Sequence, residues 1–128
     1  VDFAGFVINP LPFMRKAKVF VLSSRYEGFG NVLAESLGCG TPVVSTDCPC
    51  GPDEILDNGR YGRLVPVGNA LAMTTAILDT LKEAPDCDFL KARGQIFSVE
   101  RAGSLYEHLI YSLHFGHEPF TEGMNHEY

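Results

Sequence analysis

Two carboxylates, Glu27 and Glu35, bracket the run Gly28-Phe29-Gly30-Asn31-Val32-Leu33-Ala34. Glycines in a turn that opens a helix let a ligand approach the backbone, and the free N–H groups and positive dipole end of that helix favour an anion. A phosphate group fits this description. Each hydrogen bond to such a charged group contributes roughly 1.5–3 kcal/mol net, so a few of them anchor a diphosphate. The two carboxylates would repel the same diphosphate. The conflict eases if they face hydroxyl groups, because an ionised carboxylate accepts hydrogen bonds and can grip the vicinal diol of a sugar. Glu35, one turn into the helix on the side of Asn31, is placed for a ribose, and Glu27, at the turn itself, for a second sugar. The competing reading makes both acids helix-terminal or solvated surface charges.

The elements that must position these residues are legible on either side. Val19-Phe20-Val21-Leu22 is a short apolar run that suits a strand buried on both faces of a parallel sheet, and Pro42-Val43-Val44-Ser45-Thr46 reads as a second strand. Between them residues 32–39 form a helix, with Leu33 and Leu37 one turn apart and Gly40 as its stop. The unit is βαβ. Its crossover is expected to be right-handed, with ligands beyond the carboxyl ends of the strands, where residues 23–31 lie. Further along, short helices are expected at residues 11–16 and 52–56 and a strand at 61–65. Asn69 is placed to cap a helix carrying Leu71, Thr75, Leu78 and Leu81 as its apolar stripe, widened by Ala72 and Ile77. Helices over residues 86–93 and 99–113 follow, the last with Leu105, Leu109 and Leu113 on one side. Residues 116–128 show no periodicity and are expected to be a disordered tail.

The match to a known family rests on more than the two glutamates separated by seven residues. It includes Ser23-Ser24-Arg25-Tyr26-Glu27-Gly28-Phe29-Gly30-Asn31-Val32, Gly38-Cys39-Gly40-Thr41-Pro42-Val43-Val44-Ser45-Thr46-Asp47 and Gly51-Pro52-Asp53-Glu54-Ile55-Leu56. Asn58-Gly59-Arg60-Tyr61-Gly62-Arg63-Leu64-Val65 and Phe97-Ser98-Val99-Glu100 agree as well. Over about residues 3–112 the chain resembles the C-terminal nucleotide-sugar-binding domain of retaining GT-B glycosyltransferases of family 4, often called group 1. The resemblance implies an α/β fold, a Rossmann-like parallel sheet with flanking helices, forming part of the C-terminal domain of a GT-B enzyme over residues 1–115.

In that family the residue matching Glu27 contacts hydroxyls of the transferred sugar, and the one matching Glu35 contacts the ribose. Backbone amides around Phe29 to Val32 hold the diphosphate. Gly28, Phe29, Gly30, Asn31, Val32 and Glu35 are therefore the expected donor-binding residues. Glu27 is the expected catalytic one, acting by positioning the donor for front-face attack and not as a nucleophile. The implied reaction is transfer of a sugar from a UDP- or GDP-linked donor, with retention, to a glycan or lipid-linked acceptor in polysaccharide-type assembly. No cofactor or metal is expected, since no Asp-x-Asp pair is read as holding a divalent cation to the diphosphate. Residues 1–7 resemble a middle strand of the family's domain. An arginine and a lysine that neutralise the leaving diphosphate, and the acceptor-binding N-terminal domain, would precede it. The chain is accordingly read as a fragment, inactive alone. The alternatives are a non-catalytic nucleotide-sugar-binding or docking module and a GT-B-like UDP-sugar epimerase.

Composition bounds the rest. A chain of 128 residues with 45% apolar content can bury one core. A formal net charge of -6 argues against nucleic acid as a partner. No run reaches the roughly eighteen apolar residues of a membrane span, so a cytoplasmic location is expected, any contact with the inner membrane surface coming through the rest of the enzyme. Cys39, Cys48, Cys50 and Cys87 lack the paired spacing of a zinc site and read as reduced thiols. His108, His114, His117 and His126 read as solvent-facing. For Gly38 and Gly40 a turn or cap role is the expected one. Ser45, Thr46, Asp47, Gly51 and Pro52 are open between pocket lining and loop chemistry.

Overall fold

A computed structural model of the chain describes residues 1–115, so the expected tail at 116–128, with His117 and His126, lies outside the described residues. Pro10 sits at the N-cap and Pro12 in the first turn of α1 (Leu11–Lys16), where a missing amide proton costs no helical bond. The buried hydroxyl of Thr41 donates to the Met14 carbonyl at 2.7 Å and ties α1 to the strand that follows residue 42.

Strands β1 (Phe20–Leu22), β2 (Val43–Thr46) and β3 (Arg63–Val65) form a parallel sheet in the order β1-β2-β3, with Phe20 opposite Val43 and Val44 opposite Arg63. Successive side chains of a strand point to opposite faces, and the two hydrophobic clusters divide accordingly. Val43 packs with Leu33 and Leu37 of α2 (Asn31–Gly38) and with Ile55, Leu56 and Leu90 on one face. Val44 packs with Val65 and with Ala76 of α4 (Ala70–Thr80) on the other. Helices on both faces of a parallel sheet are the α/β arrangement expected, part of a Rossmann-like domain. The remaining helices are α3 (Pro52–Ile55), α5 (Cys87–Gln95), which packs across α2, and α6 (Val99–Phe115).

Three expectations about burial are corrected. β2 is central and buried throughout, whereas β1 has no second neighbour among the described residues and leaves Val21 exposed, so it is not buried on both faces. Of the expected α4 stripe Ala72 and Ile77 face the sheet, together with Met73, Ala76 and Thr80, while Leu71, Thr75, Leu78 and Leu81 are exposed. Small residues win there because Ala76 and Thr80 let the helix backbone settle close to Val44 and Val65, with the Thr80 hydroxyl satisfied by the Ala76 carbonyl at 2.8 Å. Residues 1–7 form no strand, since no described strand pairs with them, and Phe3 and Phe6 stand exposed.

Asn69 caps α4 as expected, its side chain accepting from the Ala72 amide at 2.9 Å. Replacing it with alanine leaves that amide without its cap and is expected to cost about 1 kcal/mol, read as a lower urea midpoint at unchanged slope. Helix α6 carries Leu105, Leu109 and Leu113 exposed on its surface, with Ser112 its one buried residue. No helix among the described residues is long and apolar enough to cross a membrane.

Candidate functional site

The loop from Ser23 to Gly30 leaves the carboxyl end of β1 and enters α2. Its path is set from the neighbouring strand. Thr46, the last residue of β2, is buried, and its hydroxyl donates to the Ser24 carbonyl, with the Leu22 carbonyl at 3.4 Å. Ser24 in turn donates through Oγ to Glu27 Oε1, which holds the half-buried carboxylate of Glu27 back against the loop. Gly28 is exposed, and a side chain there would meet nothing.

Gly30 enters α2 with φ 92° and ψ 44°, a left-handed conformation that glycine adopts without strain. No side chain caps this helix. The first amides of a helix have no intrahelical acceptor, so those at Asn31 and Val32 are the groups a ligand would meet. Asn31 is exposed and Val32 half-buried. Phe29 is half-buried and stands edge-on to Phe97, ring centroids 5.6 Å apart. From the other side Gly51 abuts it so closely that a Cβ on Gly51 would lie 1.7 Å from the Phe29 carbonyl oxygen.

The structure brings Asn31 and Glu35 together on one side of α2, where they line a groove with Arg15 of α1 and with Phe97, Ser98 and Val99. Glu35 is exposed there. Glu27 does not line this groove; it stays in the preceding loop beside Ser24. A second depression lies over the carboxyl ends of the strands toward α4, formed by Ser23, Arg25, Thr46, Pro66, Asn69 and Met73. Glu35 lines the first of these hollows, and Glu27 lines neither.

Several open readings resolve into plain structural roles. Ser45 donates to the Thr46 carbonyl at 2.9 Å and Thr46 fastens the β1 loop, so both hydroxyls are spent on the fold. Gly40 is a helix stop with φ 76°, its amide donating to the Leu37 carbonyl. Gly38 is more than a cap: Gly94 of α5 lies on its backbone, so close that a Cβ on Gly94 would be 2.3 Å from the Gly38 nitrogen. Cys48 is buried, and Cys39, Cys50 and Cys87 are free thiols. Among the described residues no three histidine, cysteine or acidic side chains gather as a metal site. The one Asp-x-Asp, Asp86-Cys87-Asp88, serves α5: Asp86 accepts from the Phe89 amide as N-cap, and Asp88 pairs with Lys91 at 3.4 Å. Asp86 lines a hollow with Pro42, Gly62 and Arg63, at the amino ends of the strands and away from the turn.

Arg93 was not singled out by the sequence. It is 2% exposed and donates from Nε to the Ile55 carbonyl at 3.0 Å and from Nη2 to the Glu54 carbonyl at 2.6 Å. Its guanidinium lies 5.2 Å from the Tyr61 ring centre and 5.1 Å from that of Phe97. The charge is met by carbonyls at the negative end of α3 and by two π faces, which is how a guanidinium tolerates burial without a carboxylate. Nothing near Arg93 in sequence marks it, because its hydrogen-bond partners are 38 and 39 residues away.

An open parallel sheet with helices on both faces, and a glycine turn entering a helix at the carboxyl end of a strand, define the class of Rossmann-like α/β domains. Residues 1–83 match the family model described as glycosyl transferases group 1, and the chain belongs to that family. Among its relatives is the N-acetylgalactosamine-N,N'-diacetylbacillosaminyl-diphospho-undecaprenol 4-alpha-N-acetylgalactosaminyltransferase of Campylobacter jejuni, 39% identical over 62% of this chain and 22% of that protein. The lipopolysaccharide core biosynthesis glycosyltransferase LpsE of Rhizobium meliloti is 43% identical over 60% of this chain and 22% of its own. The phosphatidyl-myo-inositol mannosyltransferase of Mycobacterium leprae is 37% identical over 54% of the chain and 18% of its own. The aligned part of the chain spans about a fifth of the length of these relatives.

Proposed function

We propose that this chain is the donor-binding part of a retaining glycosyltransferase that takes a UDP- or GDP-linked sugar and serves a glycan or lipid-linked acceptor. The observation that carries the reading is the uncapped start of α2, entered through left-handed Gly30 and flanked by Asn31 and Glu35 in one groove. The amides from Phe29 to Val32 would take the diphosphate, where unpaired N–H groups and the helix dipole both favour negative charge. Glu35, exposed one turn beyond Asn31, would accept hydrogen bonds from the ribose hydroxyls. Glu27, already oriented by the Ser24 hydroxyl, would hold hydroxyls of the sugar.

In this mechanism the bond between the anomeric carbon and the diphosphate breaks as the acceptor attacks from the same face, and Glu27 orients the donor without forming a covalent intermediate. Charge builds on the leaving diphosphate, and stabilising it is usually the largest catalytic contribution. The turn itself offers amides and carboxylates, with Arg15 in the groove beside it and Arg25 in the second depression. On the resemblance to one part of a larger enzyme, we read the chain alone as binding donor without turning it over and without a divalent metal.

The names of the relatives support the class of reaction: one transfers N-acetylgalactosamine to an undecaprenol-linked acceptor, another mannose to phosphatidyl-myo-inositol. The test is an amide NMR titration of the chain with UDP, GDP and their sugar conjugates, repeated with EDTA. Shifts centred on residues 28–35, unaltered by the chelator, are expected. Glu35→Ala should weaken the nucleotide itself by roughly tenfold or more, since a hydrogen bond to a charged group is worth roughly 1.5–3 kcal/mol. Glu27→Ala should leave the nucleoside diphosphate affinity alone and remove the preference for the sugar conjugate. Shifts confined to α4 or α6, or wild-type affinities in both variants, would overturn the assignment.

A further inference from the structure

The groups that hold the turn at residues 28–31 lie far from it in sequence, and they converge on one buried side chain. Phe29 is gripped on one side by the backbone at Gly51 and on the other by the Phe97 ring. Gly51 is the N-cap of α3, a helix of only four residues, too short to hold its own shape in water. Its carboxyl end is held by Arg93, which donates to the Glu54 and Ile55 carbonyls, and the same guanidinium lies against Phe97. Both contacts on Phe29 therefore pass through Arg93.

We infer that Arg93 is a positioning residue for the ligand-binding turn: by clamping α3 and Phe97 together it sets where the Phe29-to-Val32 amides point. The inference rests on the proposed donor site. The donor geometry requires arginine. A planar fork serves two adjacent carbonyls while its faces stack on Tyr61 and Phe97, whereas a lysine ammonium is a compact point charge without the rigid fork and stacks on neither ring as well. Phe97 is the second link, because it is the ring that Arg93 and Phe29 share.

The experiment compares wild type, Arg93→Lys and Phe97→Leu in the whole chain, by amide spectra and hydrogen exchange without ligand and by titration with UDP and GDP. In Arg93→Lys the amides of residues 29–32 and 52–56 are expected to shift and exchange faster, while those of Val44 and Ala76, on the far face of the sheet, keep their positions. Affinity for the nucleotide that wild type binds should fall about tenfold. If the lysine variant does not fold, Phe97→Leu carries the test, since it keeps the Arg93 hydrogen bonds to α3 and removes the ring that the guanidinium and Phe29 share. Unchanged 29–32 signals in a folded variant, or changed signals with wild-type affinity, would overturn the inference. A wild-type chain that responds to neither nucleotide overturns the donor-site reading instead, and the ligand-free signals at 29–32 still decide whether Arg93 positions the turn.

Discussion

Gly51→Ala is expected to destabilise the chain by several kcal/mol and to disorder the turn at residues 28–31. Gly51 sits at φ 107° and ψ -49°, outside the regions an L-residue adopts without strain, which costs about 1–3 kcal/mol. The second cost is steric. The new methyl would lie 1.7 Å from the Phe29 oxygen and 2.5 Å from its carbonyl carbon, and both are backbone atoms that no rotamer change can move. Overpacking of this kind costs typically about 1–3 kcal/mol and here forces the Phe29 backbone away from the α3 N-cap. Against a domain stability of about 5–15 kcal/mol the combined loss is large. Urea unfolding followed by circular dichroism checks it. A midpoint equal to wild type would mean that the loops after β1 and β2 do not touch in solution.

The second large effect is expected at the crossing of α2 and α5. Alanine in a helix interior is ordinarily favoured over glycine by about 1 kcal/mol, so Gly94→Ala would stabilise an isolated α5. Tertiary contact reverses the sign. Its Cβ would be 2.3 Å from the Gly38 nitrogen, 2.6 Å from the Gly38 Cα and 2.9 Å from the Leu37 carbonyl carbon, so the two helices must separate along their contact. Leu90 of α5, buried in the cluster with Leu33 and Leu37, loses packing with them. A net loss of about 1–3 kcal/mol is expected. Gly103 in exposed α6 provides the opposite case, since a Cβ there meets nothing within 4 Å. Gly103→Ala should be neutral or stabilising by up to about 1 kcal/mol. Equal and positive effects for both substitutions would show that the α2–α5 approach is looser than the structure describes.

The contrast between these two glycines shows where a sequence stops being legible. Both lie in helices and neither carries a local mark that separates them. Gly40 differs: it falls where a helix ends, and its positive φ follows from that placement, whereas an N-cap such as Gly30 ordinarily has extended backbone. The Asn69 cap and the proline-led start of α1 are equally local, because capping is settled within one turn of the chain. Apolar periodicity on α4 failed for the converse reason. Leu71, Leu78 and Leu81 carry the hydrophobicity, but the sheet accepts the narrower Ala76 and Thr80 side, a choice set by the spacing to Val44 and Val65.

The chain's own sequence determined the βαβ unit around residues 20–46, the glycine turn with Glu27 and Glu35 about it, and the α/β class, since each rests on interactions spanning a few residues or on the alternation of apolar side chains. Only the tertiary structure decided that Thr46 ties the loop to β2, that Gly51 and Phe97 grip Phe29 from two sides, and that the buried cation joining them is Arg93. Those contacts join residues far apart in the chain. Their partners are chosen by where the sheet and helices bring the backbone, and no local pattern of residue types encodes that position.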